Sequence, residues 1–283
     1  MKQEEKTPSN RGFNGHRAHG FCRACQQEHS LGANGAERSA IRLMKALDTE
    51  NSLDIFVPEE TRNPGLSTAS LWGEERGKMF GVMDCLNPQN ELVTLYAFSG
   101  QFNKRWQIPG WVPPIFDLRR FEDLSIPCEK RIKQLGEDLA QRKKQGQNWQ
   151  ELRQKRRLLS KNLMQEIIGL YLLSNFRGAT RPLQEVFYRS GGIPSGTGDC
   201  CAPKLLHSAI QKGLKPLGIC EFFYGRTTRS ARHRHKEFVS SCREKCSPIL
   251  GFMLCGLETG KDEPEQVERS KTDAERPGTR NHL

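Results

Sequence analysis

The chain has 283 residues, enough for one large domain or two ordinary ones, but only 35% of its side chains are apolar and its mean hydropathy is −0.69. No window holds the roughly 18 uninterrupted apolar residues of a membrane span, and the N-terminus lacks the apolar stretch of a secretory signal. These two absences predict a cytoplasmic protein with no membrane partner. A net charge of +11 points to a polyanionic partner, with nucleic acid the first expectation.

In chain order, residues 1–20 and 257–283 are polar and poor in apolar side chains, and both read as disordered tails. The region 21–128 opens with FCRACQQEH, followed by a helix whose apolar face includes Ile41, Leu43, Met44 and Leu47. Next, GKMFGVMDCLNPQNELVTLYAFSGQF reads as a β-hairpin turning at NPQN. The following WQIPGWVPPIFD is too proline-rich for regular structure and reads as a packed aromatic loop. Residues 129–176 show helical periodicity broken at QGQNW, which predicts a pair of long helices. Within them, 129–163 holds eleven Lys/Arg against four Asp/Glu, a net +7. The part 177–256 carries GTGDCCAPKLLHSAIQKG, a strand LKPLGICEFFYG, a basic stretch and CREKCSPILGFMLCG. The fold class is therefore α/β of a mixed α+β kind: a hairpin body, a basic helical hairpin and a Cys-rich C-terminal part.

Ten cysteines in a reducing compartment read as metal ligands or buried thiols rather than disulfides. GGIPSGTGDCCAPK is a poor phosphate cradle, because Lys204 lies too far on and Pro203 removes a donor. A reactive thiol there needs a base, and His207 is nearly two turns away. A metal reading places Cys200 with Cys242 and Cys246, spaced C-x3-C, and takes His235 or Cys201 as the fourth ligand; buried, inert thiols are the alternative. Cys22, Cys25 and His29, spaced C-x2-C-x3-H, form a second candidate zinc turn, with His16 or His19 to complete it. Cys85, Cys128, Cys220 and Cys255 read as structural. Asp199 is the carboxylate nearest the first site, and a helix cap is its expected role, with a catalytic base the alternative.

Cys200 ahead of one helix, with Cys242 and Cys246 ahead of another, resembles the zinc-dependent nucleoside and nucleic-acid deaminases. Ala202 stands where that pattern has its glutamate, and the distal pair is C-x3-C rather than C-x2-C. A broader resemblance covers most of the chain. The string GTGDCCAPKLL with KPL and EFFYG, together with GWVPPIFD and CREKCSPILGFMLCG, resembles the N-terminal extension of long bacterial RluA-type RNA pseudouridine synthases. That resemblance implies association with RNA modification and a pseudouridine synthase as partner. The catalytic Arg-Leu-Asp string of those enzymes is not in the sequence, so no catalytic residue for uridine isomerisation is expected here. The resulting expectation is a zinc-stabilised accessory protein that binds structured RNA, tRNA or rRNA. Its contacts are Arg142, Lys143, Lys144, Arg153, Lys155, Arg156 and Arg157 on the helices and Arg226, Arg229, Arg232, Arg234 and Lys236 in the basic stretch. The alternative is a deaminase-like or hydrolytic enzyme using Cys200, Cys242 and Cys246.

Overall fold

The computed structural model describes residues 15–74, 76–227 and 233–257. It is an α/β protein built on a four-stranded antiparallel sheet of order β4-β3-β7-β8. The strands are β3 (Lys78–Leu86), β4 (Leu92–Phe98), β7 (Lys215–Tyr224) and β8 (Phe238–Val239). β3 and β4 form the hairpin expected at NPQN, with Phe80 opposite Phe98 and Leu86 opposite Leu92.

Side-chain alternation divides this sheet into two faces. Phe80, Val82, Cys220, Phe222 and Tyr224 pack with helix α1 (Ala36–Glu50) in one apolar cluster. Met83, Cys85 and Ile219 pack on the other side with α5 (Cys201–Gln211) and α6 (Ser247–Leu254). Helix α5 lies unusually close to β3, because a Cβ on Gly81 would sit 2.6 Å from Cys201 Cβ. On α1, Leu43, Met44 and Leu47 are buried as expected, but Ile41 faces outward.

A separate hairpin, β1 (Arg17–Cys22) and β2 (Gln27–Gly32), packs against α6. Its first strand begins inside the stretch 1–20 that composition assigns to a disordered tail; pairing with β2 and packing on α6 order it. Disorder in 1–14 and 258–283 is an expectation that lies outside the described residues.

The basic helices are α2 (Leu118–Lys144) and α3 (Gln150–Gly169), joined at the expected break. α2 starts eleven residues before Glu129, where Asp117 Oδ1 accepts the Arg120 N–H at 2.9 Å. Pro127 is carried inside the helix. After α3 come a small ladder, β5 (Leu172–Ser174) with β6 (Thr180–Pro182), and a single turn α4 (Leu183–Val186). The proline-rich loop is packed as expected, with Trp111, Val112, Ile115 and Phe116 buried and the Trp111 indole donating to Leu53 O at 2.8 Å. Among the described residues no helix is long and apolar enough to cross a membrane.

Candidate metal centres

Among the described residues, two groups of side chains could hold a metal ion: Cys22, Cys25, His29 and Cys255, and Cys200, Cys242 and Cys246. Within each group the ligand atoms lie within 4.8 Å of one another. A tetrahedral site with metal–sulfur bonds of about 2.3 Å spaces its sulfurs about 3.8 Å apart.

The first centre grows from the β1–β2 turn. Gln26 takes a left-handed φ of 60°, its N–H donates to Cys22 O at 2.8 Å, and its side-chain amide donates to Arg23 O. This closes the turn and turns Cys25 back toward the strands. Gly20 faces His29 across the ladder and Cys22 faces Gln27, so Cys22 and His29 are diagonal neighbours on one face. Cys25 Sγ lies 3.0 Å from His29 Nε2 and 3.6 Å from Cys255 Sγ. The fourth position is therefore Cys255, which follows α6, and not His16 or His19. Burial pushes the Cys25 thiol up, but hydrogen bonds from Cys22 and Cys255 outweigh it and the net shift is down. Burial also holds His29 below its ordinary value, which favours the neutral ring that a metal needs.

The second centre joins two helix N-termini. Cys200 is the residue before α5, and Cys246 the residue before α6. Cys246 N–H donates to Cys242 O at 3.3 Å and approaches Cys242 Sγ at 3.4 Å, folding CREKC into a turn with its two sulfurs 3.3 Å apart. Hydrogen bonds from Cys200 and Cys246 hold the Cys242 thiol far below the usual cysteine range. The same contacts push Cys200 and Cys246 up. Cys242 is exposed while Cys246 is buried, so this group opens to solvent on one side.

Neither residue considered as a fourth ligand here joins the group. Cys201 turns under α5, with its Sγ toward Met79 O at 3.4 Å and Ala97 O at 3.8 Å. His235 accepts the Gly225 N–H at 3.1 Å through Nδ1 and sits 4.7 Å from Tyr224 and 4.8 Å from Trp72, ring to ring. Asp199 does not cap α5. Its Oδ1 accepts from the Tyr171 hydroxyl at 2.5 Å, and Cys200 is the N-cap, without a side-chain hydrogen bond.

Glu221 escaped the sequence reading. It lies on β7, whose alternation points it at α5 rather than α1. It is buried, its Oε1 accepts the Ala202 N–H at 3.2 Å, and its Oε2 accepts from Ser241 Oγ at 2.6 Å. One carboxylate thus ties the segment after Cys200 to the residue before Cys242. Burial pushes its pKa up to about 7, because two neutral hydrogen bonds only partly replace water. The signal was present in the sequence as the one acidic residue in the apolar run LKPLGICEFFYG. Replacing Glu221 with Ala is expected to weaken one of two metal equivalents by about 10- to 100-fold, as losses of groups that orient ligands do. Chelator competition on the purified variant measures this, and two equivalents held as tightly as in the parent protein would rule out the tie.

The other predicted positions are surface residues. Arg142, Lys143, Lys144, Arg153, Lys155, Arg156 and Arg157 are all exposed on α2 and α3, as are Arg226, Arg234 and Lys236. Lys236 pairs with Asp48 at 2.5 Å, which removes it from a free basic patch. Arg229 and Arg232 lie outside the described residues. At the arm's tip, Trp149 is flanked by Lys143 at 4.3 Å and Arg153 at 5.7 Å.

No family model, curated protein or solved structure matches this chain.

Proposed function

We propose that the protein is a zinc-stabilised RNA-binding accessory factor of RNA modification, acting on structured RNA such as tRNA or rRNA beside a pseudouridine synthase. The observation that carries the reading is the α2–α3 arm. α2 runs 27 residues, about 40 Å, yet buries only Ser125 and Leu135, and α3 buries only Leu163. The pair packs on the core only at its root, through Leu118, Phe121, Ile167 and Ile168, and the rest of its length is spent presenting charge. Seven exposed Lys/Arg cluster toward its tip, where they meet phosphates without desolvating a core.

Zinc is the metal that suits the donors. Three thiols with one imidazole, in tetrahedral reach, make a closed structural site, and a second cluster of three thiols suits the same soft-to-borderline ion. When bound, the ion supplies cross-links that a core of modest apolar content lacks.

Replacing Arg142, Lys143 and Lys144 together with Ala tests the RNA reading. RNA affinity of the parent protein is expected to fall steeply with salt, and the triple variant to flatten that slope by about one unit per lost phosphate contact. Folding is expected to persist, since such exposed charges change stability by less than about 0.5 kcal/mol each. A folded variant with unchanged affinity and slope would remove the arm as the RNA surface.

A second reading, a hydrolytic or deaminase-like site, is favoured by the second centre's three ligands and by Glu221 next to Ala202. Three protein ligands with one open position are the catalytic pattern for zinc. Ammonia release from cytidine or RNA by zinc-loaded protein, abolished in Glu221→Gln, is the result this reading requires.

A further inference from the structure

A cleft of about 370 Å³ lies between the root of the α2–α3 arm and the loop that leads into Cys200. That volume falls in the range of small-ligand sites, roughly 300–1,000 Å³. Trp106, Phe121 and Tyr171 are among its lining residues, and Asp199 and Glu129 bring carboxylates to it. The rings are held in place by their neighbours. Trp106 meets Phe116 and Phe121 edge-on at 5.0 and 5.3 Å, and Phe116 stacks on Phe121 at 4.7 Å. Tyr171 is fixed by its hydroxyl, which donates to Asp199 Oδ1. Asp199 Oδ2 accepts no hydrogen bond from any described residue, and Lys245, though it approaches the same glycine, forms no ion pair with it.

We infer that this cleft takes one unstacked, amino-bearing nucleobase of an RNA strand whose phosphates follow the arm. The inference rests on the RNA-binding reading and adds the recognition element that a basic arm lacks. Fixed aromatic rings offer a stacking wall, which is how single-stranded bases are held. The carboxylate then decides which base. An open carboxylate oxygen accepts from an exocyclic amino group, as on N4 of cytosine, and repels the carbonyl that uracil places at the same position. Phosphate is disfavoured by the two carboxylates, so the base enters and the backbone stays on the arm.

The experiment compares oligocytidylate and oligouridylate of equal length at one salt concentration. The parent protein is expected to prefer oligocytidylate about tenfold, within the range of one good polar base contact. In Asp199→Asn the side-chain amide can donate to the uracil carbonyl, and the preference is expected to vanish or invert. Phe121→Leu is expected to weaken both oligomers while leaving the salt slope alone. Free cytidine on the unmodified protein gives a reading that needs no variant to fold: saturation transfer from the aromatic protons to the nucleoside is expected. Equal affinity for the two oligomers, a preference that survives Asp199→Asn, or no transfer to cytidine overturns the cleft while leaving the arm intact. Loss of salt-dependent RNA binding altogether would instead overturn the reading on which the cleft rests.

Discussion

Cys255→Ser is expected to release one metal equivalent per chain and to lower the melting temperature by roughly 8–16 °C. The residue is 2% exposed, and its sulfur closes the group formed by Cys22, Cys25 and His29. Metal affinity for a folded site is folding free energy, because the unfolded chain holds no preformed site. A centre filled at a thousandfold excess over its dissociation constant stabilises by about 4 kcal/mol. For a chain of this size each kcal/mol moves the midpoint by about 2–4 °C. The control is a chelator. It is expected to lower the melting point of the parent protein by at least as much, and to move the serine variant less. A variant that keeps both equivalents and melts with the parent would mean that Cys255 is no ligand.

Gly251→Ala carries the second large effect. A Cβ on Gly251 would sit 2.2 Å from Phe21 C and 2.5 Å from Gly20 O, and one on Gly20 would sit 2.3 Å from Ser247 O. These are backbone atoms that no rotamer change relieves. The methyl must push α6 away from β1, which costs about 3 kcal/mol, the upper end of overpacking penalties. Because Cys22 ends β1 and Cys255 follows α6, the same displacement opens the first centre, so metal loss is expected alongside destabilisation. Gly136→Ala is the counter-case. It lies in α2 with its nearest neighbour atom 3.6 Å away, and there alanine is expected to stabilise by about 1 kcal/mol through helix propensity. Urea denaturation of the two variants side by side gives both signs, and equal midpoints would contradict the packing argument.

What could be read from the sequence was whatever local chemistry decides. The hairpin at NPQN, β7 and the break between the basic helices each follow from a turn or a period, whereas α5 begins at Cys201, two residues before Pro203, where the sequence suggests its start. The start of α2 was hidden because Pro127 carries a breaker's local signal, while the true cap, Asp117, stands at the end of a proline-rich loop. The candidate centres were legible where ligands are neighbours in sequence, as in Cys22, Cys25 and His29 or in Cys242 and Cys246. The fourth residue of the first group was not, because nothing local distinguishes Cys255 from a core thiol. It reaches the site only by lying just past the end of α6, and α6 reaches β1 only through two glycines. His235 was a candidate fourth ligand by residue type, but the fold gives it to Trp72 and Tyr224 instead. Glu221 became meaningful only once strand alternation showed which helix it faces.

The separation of the ligands in the first centre bears on how the protein is made. Cys25 and Cys255 stand 230 positions apart, so the N-terminal hairpin emerges from the ribosome long before the residue that completes its site. During synthesis the turn can hold an ion with three side chains and one exchangeable position, and the final grip closes only after the sheet, the arm and α6 have been translated. The second centre draws on Cys200, Cys242 and Cys246 and is also completed late. A ribosome stalled before residue 255 is therefore expected to display a nascent chain whose metal exchanges readily, and one stalled well past it a chain whose metal does not. The rate of metal exchange then reports whether Cys255 has reached the other three ligands, and so whether the sheet and α6 have closed around the hairpin.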